Sequence, residues 1–329
     1  MTESQLKPRP APPAIPWWRQ ICVHEWVLTA YLGVLGLFGL GAPTDEGRTH
    51  ALSLVGPMLG GWLLLITLVR GGHWRHPWLM PITYRIVAFG MVMGSYLTFS
   101  EYLPAINRYV LDEQLYALDL QLFGVEPAVY FDRYVNAFTT EWFAFFYYGY
   151  FWVVGGFVFP ILFSPRGRNI HQFALGIVLT FCIGHCGYLL VPGYGPYHAM
   201  PEVFVNELPP GFWMDAVWGV VRSAGAQMDI FPSLHTGGPA FIVLFAYSNR
   251  KHAPFRYIWL PLAFFVANII LATMFLRWHY VIDVVVGLLL ALTAHLLTLR
   301  IWPHEQEQRA ADGSSPVWPP LPFGSRTSK

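Results

Sequence analysis

Hydrophobic and polar residues follow one another along this chain in long blocks. Each apolar block is close to the length of about 20 residues that a helix needs to cross the hydrocarbon core of a bilayer. About eight blocks meet that requirement, and they cover residues 25–42, 51–69, 79–99, 140–162, 173–192, 233–248, 257–276 and 280–300. The pattern therefore predicts an all-α fold, a polytopic bundle of transmembrane helices.

The composition also indicates a membrane protein. Of the 329 residues, 55% are hydrophobic and only 12% are charged, whereas soluble domains carry about 25% charged residues. The net charge of +1 gives no reason to expect a nucleic acid as partner. Three cysteines are too few for a disulfide framework.

The charges between the blocks predict how the helices are oriented. Lys and Arg are enriched in cytoplasmic loops, and every second loop is basic, with Arg70, Arg75, Arg166, Arg168, Arg250, Lys251 and Arg256. We therefore expect both termini in the cytoplasm. The acidic segments 101–139 and 193–232 and the turn at 277–279 should face the extracytoplasmic or lumenal side of a plasma or inner membrane. A cleaved signal peptide is the alternative to a retained first helix.

The outer segment 108–136 contains a further predicted helix. Leucines recur there at helical spacing, at Leu111, Leu115, Leu118 and Leu122, while acidic residues occupy other faces. This pattern is typical of a helix that lies flat at the membrane interface. It could pack without any chemical role, or it could guide a substrate.

Two short passages contain the residue types of a chemical site. Phe-Pro-Ser-Leu-His-Thr-Gly-Gly at 231–238 stands where an acidic outer loop enters the sixth predicted span. Arg-Trp-His-Tyr-Val-Ile-Asp at 277–283 stands where the seventh span turns into the eighth. The predicted topology puts both passages at one membrane face. We therefore expect His235, His279 and Asp283 to converge, although 44 residues separate the two histidines.

The spacing within the second passage suits nucleophilic chemistry. His279 and Asp283 are four residues apart, so they share a face if the segment is helical. The carboxylate can accept the proton of one ring nitrogen, which fixes the tautomer and leaves the other nitrogen free to attack an electrophile. A carboxylate near the end of a membrane helix needs a partner. Capping of the eighth helix is the simpler role for Asp283.

These passages resemble elements of the type 2 phosphatidic acid phosphatase superfamily. Pro-Ser-Leu-His at 232–235 resembles its Pro-Ser-Gly-His element, and His-x-x-x-Asp at 279–283 resembles its final element. Within the superfamily the match is closest to the branch that contains inositol phosphorylceramide synthases. The stretches 191–197 and 112–127 also resemble that branch, and the resemblance covers roughly residues 80–300.

The resemblance implies an enzyme that acts on lipid phosphates without a metal or another cofactor. His279 would attack phosphorus and become a phosphohistidine, oriented by Asp283. His235 would protonate the leaving group and then activate the incoming acceptor. The substrates would be a phospholipid or lipid phosphate and an alcohol or water, and no obligatory protein partner is evident.

The usual phosphate ligands of the superfamily are missing. A Lys-x6-Arg-Pro element is absent, and Thr273 stands where the final element normally has Arg. Phosphoryl transfer needs positive charge around the equatorial oxygens. We therefore expect Arg277, and after it Arg222, to bind the phosphate. Additional hydrogen bonds could come from Ser233, Tyr194 and Tyr197.

The favoured function is an inositol phosphorylceramide synthase-like phosphotransferase, which moves a phospho-headgroup from one lipid to an alcohol acceptor. The alternative is a phosphatase of the same superfamily that hydrolyses a lipid phosphate or a polyprenyl diphosphate. A proton-coupled transporter, with the two histidines and the carboxylate as a relay, is a more distant alternative.

The chain is predicted to have three parts. Residues 1–78 would hold an N-terminal tail and two accessory transmembrane helices, and residues 79–302 a catalytic domain of six helices. Residues 303–329 are polar and rich in Pro, Gly and Ser, which predicts a disordered cytoplasmic tail.

Cys182, His185 and Cys186 lie on one helical face of the fifth predicted span. Three potential soft ligands in one place hint at a metal site. Packing is the interpretation that we favour, because such residues are common in helix interiors.

Overall fold

The structure is a computed structural model that describes residues 16–163, 168–224 and 227–321. In these ranges the chain forms α-helices, two short 3-10 turns and no strand beyond a single bridge between Gly193 and Asp229. The helices are α1 (Val23–Leu40), α2 (Asp45–Arg70), α3 (Leu79–Ile106), α4 (Asp112–Phe123), α5 (Pro127–Asp132), α6 (Ala137–Tyr148), α7 (Tyr150–Phe163), α8 (Arg168–Leu190), α9 (Pro196–Ala199), α10 (Phe212–Ala224), α11 (Leu234–Ser248), α12 (Phe255–Phe275) and α13 (Val281–Asp312).

Most of these helices have the length and composition of membrane spans, which confirms the predicted polytopic all-α bundle. In the described part of the chain, seven segments are long and apolar enough to cross a bilayer: α1, α2, α3, α6 together with α7, α8, α12 and α13. The predicted sixth span, 233–248, forms α11, which has only 15 residues. A full crossing needs about 20. Because α8, α12 and α13 pack around α11, its surface is covered by other helices instead of lipid.

A buried polar cluster joins the first three helices. Glu25 accepts hydrogen bonds from Arg70 and from the Tyr84 hydroxyl, at 2.9 and 2.6 Å. The side chains of Glu25 and Arg70 are 0% and 1% exposed. Because an unpaired buried charge is strongly destabilising, this cluster requires α1, α2 and α3 to stay together.

The predicted disorder of residues 303–329 is wrong for the part of that segment that the structure describes. Helix α13 continues to Asp312, and the chain then folds back so that Val317, Trp318 and Leu321 are buried. Residues 322–329 lie outside the described residues, as do residues 1–15 at the other terminus.

The physical reason for the ordered tail is the polar cluster that it covers. Trp318 stacks on His24, with ring centroids 4.5 Å apart. Arg70 donates to the carbonyl oxygens of Pro316 and Val317, at 2.9 and 2.7 Å. The polar composition of the segment hid these few apolar side chains and the backbone acceptors beside them.

Candidate active site

A cavity of about 690 Å³ lies at the end of the bundle where α11 and α13 begin. Its walls come from α3, α6, α7, α8, α10 and the connections that follow α8 and α12. Much of the wall is tyrosine, with Tyr96, Tyr147, Tyr148, Tyr150, Tyr188, Tyr194 and Tyr197. Both His235 and His279 line the cavity.

Close helix packing positions His235. Gly187 on α8 faces Pro232, and a Cβ added to this glycine would lie 2.3 Å from Pro232 Cδ. A larger residue at position 187 would therefore push away the segment that leads into α11. The ring of His235 stacks on Tyr147, with centroids 4.4 Å apart and an interplanar angle of 16°. Tyr150 lies on it as well, at 4.3 Å, so the orientation of the imidazole is set by aromatic rings.

His279 lies directly before α13. Its Nδ1 atom is 3.4 Å from Oδ2 of Asp283, and the same carboxylate oxygen accepts a hydrogen bond from the Tyr280 N–H at 3.0 Å. Asp283 therefore caps α13 and also orients the imidazole, so both roles considered for it are present. Burial lowers the pKa of His279 from 6.5 to about 4, and nearby Asp229 opposes this shift. The ring is consequently neutral, as a nucleophile must be.

The structure brings the two histidines together as the sequence predicted. The centroids of the His235 and His279 rings are 6.2 Å apart, with an interplanar angle of 51°. Gly195 supports this arrangement from the opposite side, because a Cβ there would lie 2.3 Å from the carbonyl oxygen of Trp278 and its φ is +81°. A phosphate group between the rings can reach both imidazoles.

Helix α4 confirms the helical pattern of segment 108–136, but two of its acidic residues, Asp112 and Asp119, point inward. Asp112 accepts hydrogen bonds from the N–H groups of Tyr194 and Gly195 and from the Tyr280 hydroxyl, at 2.9–3.2 Å. Asp119 accepts from the N–H groups of Val281 and Ile282, at 2.6 and 3.0 Å. Both carboxylates are almost fully buried. They accept from backbone N–H groups that would otherwise lack a hydrogen-bond partner. Helix α4 therefore holds in place both the connection after α8 and the start of α13.

Three of the predicted phosphate ligands line the cavity. Arg222 lies near the end of α10, with its guanidinium 5.6 Å from the centre of the Trp218 ring. Tyr194 and Tyr197 contribute from the connection after α8. In the described lining, Arg222 is the only Lys or Arg side chain.

The structure does not bring the other two predicted phosphate ligands to the cavity. Arg277 instead forms a buried ion pair with Asp132, at 2.6 Å, and its guanidinium lies 4.1 Å from the centre of the Phe204 ring. Its backbone φ of +68° turns the chain here. Ser233 is fully buried, and its hydroxyl caps α11 by accepting from the N–H of Thr236 at 3.3 Å. Both residues therefore support the structure around the site.

Sequence reasoning missed one carboxyl group in the cavity wall. Asp229 lines the cavity and accepts a hydrogen bond from Tyr96. Burial raises the pKa of Asp229, and the Tyr96 hydroxyl and His279 oppose the shift. The residue stands just before the 231–238 passage, but its sequence position marked it only as one acid of the outer loop. Asp229 lies beside Tyr96 only because the fold brings α3 next to the connection between α10 and α11, which the sequence pattern does not show.

His185 belongs to a polar network inside the bundle. Its Nδ1 atom is 3.0 Å from the Tyr31 hydroxyl, which is 2.6 Å from Ser95 Oγ. Among the described residues, no group of three or more His, Cys, Asp or Glu side chains is arranged to hold a metal ion. His185 also lines the cavity, so the network connects α1 and α3 to the site.

Asp119 is expected to hold the start of α13 in place. Asp119→Ala leaves two backbone N–H groups without an acceptor, and we expect it to lower the free energy of unfolding by about 2 kcal/mol. Thermal unfolding of the purified chain in detergent measures this change. Glu113→Ala, at an exposed position of the same helix, is the matched control. Equal melting temperatures for the two variants would contradict the capping role.

Glu126 is expected to make stability depend on pH. Burial raises its pKa from 4.5 to about 7, so the folded state binds a proton more tightly than the unfolded state does. Stability contributed by this group is complete below pH 4.5 and is lost as the pH rises through 7. At pH 8 we expect Glu126→Gln to have a higher free energy of unfolding than the unmodified chain, by up to about 3 kcal/mol. At pH 5 the gain should largely disappear. A stability difference that stays constant between the two pH values would refute the shift.

Comparison with known proteins supplies a family for this site. A family model described as the PAP2 superfamily matches residues 113–297, which is more than half of the chain and contains both histidine passages. No curated protein and no solved structure matches the chain.

Proposed function

This chain belongs to the PAP2 superfamily, and we propose that it is a lipid phosphotransferase similar to inositol phosphorylceramide synthases. The enzyme moves a phospho-headgroup from a phospholipid to the hydroxyl group of an acceptor lipid. The observation that carries the proposal is one cavity that holds His235 and His279, with ring centroids 6.2 Å apart, beside a single described cation, Arg222.

In the first half of the reaction, Nε2 of His279 attacks phosphorus. Because Nδ1 faces Asp283, Nε2 is the nitrogen with a free lone pair. A nitrogen–phosphorus bond forms while the bond from phosphorus to the lipid alcohol breaks. His235, protonated while the anionic phosphate is bound beside it, gives that proton to the departing oxygen, and the phospho-headgroup stays on His279.

In the second half, the acceptor hydroxyl replaces the departed lipid alcohol. His235, now without its proton, takes the proton of that hydroxyl, and the acceptor oxygen attacks phosphorus. The nitrogen–phosphorus bond breaks and His279 is released as a neutral ring. Asp283 stabilises the positive charge that develops on this imidazole in both halves.

The charge of the cavity favours a phosphodiester as donor. A phosphomonoester carries a charge of roughly −1.5 to −2 at pH 7, and a diphosphate carries more, whereas a phosphodiester carries a single negative charge. Arg222 alone among the described lining side chains can offset such a charge. Asp229, the carboxyl group in the lining, can add only negative charge, and burial raises its pKa and so favours its neutral form. A phosphodiester lipid matches this balance better than a lipid phosphate or a polyprenyl diphosphate.

The proposed enzyme works at the extracytoplasmic or lumenal face of its membrane, with both termini in the cytoplasm. The alternation of basic and acidic loops supports this orientation, with the short α11 counted as the eighth crossing beside the seven longer segments. The polar cluster of Glu25 and Arg70 and the ordered tail lie at the opposite end of the bundle, which would then face the cytoplasm.

The transfer reaction can be tested with phospholipids that carry a radioactive phosphate, incubated with the full chain in bilayer discs. With a long-chain alcohol or a ceramide present, we expect the label to move to that acceptor. His279→Ala should abolish transfer. His235→Ala should slow both halves of the reaction, and any label that it leaves on the protein should be acid-labile, because the phospho-headgroup is passed on only slowly.

The folded state of each variant is checked by its melting temperature. His198→Ala is the matched control, since His198 lines the same cavity but has no part in the proposed chemistry. Release of free phosphate from a phosphomonoester lipid, whether or not an acceptor is present, would show a phosphatase instead. Normal transfer by His279→Ala would remove the proposed nucleophile.

A further inference from the structure

The cavity reaches the side of the bundle between α3 and α7. Three of its lining residues on these helices are exposed: Leu97 by 61%, Met93 by 49% and Phe151 by 39%. All three lie in segments that can span a membrane, so the surface that they expose faces hydrocarbon chains. Exposed lining residues in spanning segments are expected where a cavity opens toward lipid.

One face of helix α3 contributes both apolar and polar side chains to the cavity wall. Met93, Tyr96 and Leu97 are spaced i, i+3 and i+4, so they share one helical face, and all three line the cavity. Tyr96 donates a hydrogen bond to Asp229, and Asp229 lies close enough to His279 to raise its pKa. Within about one helical turn, this wall therefore combines two apolar side chains with a tyrosine whose partner, Asp229, lies close to His279.

Helix α3 is held against the rest of the site by buried contacts, while it meets α7 only over a short stretch. The Ser95 hydroxyl binds Tyr31 of α1, and Tyr31 binds His185 of α8. These bonds fix the face of α3 that carries Met93 and Leu97. Toward α7, Arg85 of α3 donates a hydrogen bond to the Leu162 carbonyl oxygen at 3.2 Å. This contact lies about two helical turns from Met93 along α3, away from the stretch that lines the cavity.

We propose that the opening between α3 and α7 binds one hydrocarbon chain of the lipid substrate, with Met93, Leu97 and Phe151 as its walls. The inference rests on the proposed function, because it places the phosphate of that lipid between His235 and His279. A lipid bound in this way keeps its chain in an apolar environment throughout. Only its headgroup leaves the membrane interface to enter the cavity.

The opening is formed in part by α3, a helix that lies outside the residues matched by the family model. The match covers residues 113–297, whereas α3 spans Leu79–Ile106. The selection of hydrocarbon chains at this opening is therefore a property of this chain's own N-terminal helices, and α1 takes part through Tyr31. These helices are more than an accessory to the site.

The opening is tested by comparing a dioleoyl and a dihexanoyl phospholipid donor, with the full chain in bilayer discs. Leu97→Trp narrows the opening. We expect kcat/KM for the dioleoyl donor to fall about tenfold, because roughly two methylene groups of its chain would lose their apolar contact. The dihexanoyl donor should lose far less, so the ratio between the two donors falls. Ile86→Trp is the matched control, because Ile86 is exposed on α3 but does not line the cavity. It should leave both donors unaffected.

A second readout does not depend on turnover. A phospholipid with a photoreactive group in the middle of one chain should label the peptide that contains Met93 and Leu97, and Leu97→Trp should remove that label. An unchanged donor ratio in Leu97→Trp, or labelling spread evenly over the lipid-facing helices, would overturn the proposal. If the unmodified chain turns over neither donor, the proposed function fails, and the photolabelling alone then decides whether the opening binds a hydrocarbon chain.

Discussion

An imidazole can attack phosphorus only while it is uncharged, and the surroundings of His279 keep it in that state. The ring is buried at the end of the bundle, which lowers its pKa to about 4. The proposed reaction also requires a partner for the charge that would develop on the ring, and Asp283 in the first turn of α13 lies 3.4 Å from Nδ1. The position of that turn depends in its own right on Asp119, which accepts the N–H groups of Val281 and Ile282. The geometry of the proposed reactive centre therefore depends on how the start of α13 is capped.

The cavity differs from the usual site of the superfamily in having few basic side chains. Where the superfamily normally has several basic phosphate ligands, the described cavity has Arg222 and a wall of tyrosines. Hydroxyl groups can donate hydrogen bonds to a phosphate without adding charge. Such a wall suits a ligand with a single negative charge and an extended lipid body. The proposed phosphodiester donor and the opening between α3 and α7 are two aspects of that same match.

The sequence was sufficient for the features that depend on local patterns. Hydrocarbon thickness dictates the length of the apolar blocks, so the spans were predictable, and the alternation of loops brought His235 and His279 to one face. The orientation of individual side chains could not be predicted from the sequence. Arg277 stands two residues from His279, but a φ of +68° and the distant Asp132 direct it away from the cavity. Asp229 was missed for the same reason, because its partner Tyr96 lies on another helix. The tail after residue 312 looked disordered because Trp318 finds its partners only in the folded bundle.

The central claim is that His279 bonds covalently to phosphorus beside His235 and Arg222. A structure of the full chain with orthovanadate, which mimics the transferring phosphoryl group, tests this most directly. The account predicts a vanadium–nitrogen bond to Nε2 of His279, with His235 on the opposite side of the metal and Arg222 near an equatorial oxygen. Vanadate bound away from both imidazoles, or bonded to a residue other than His279, would contradict it.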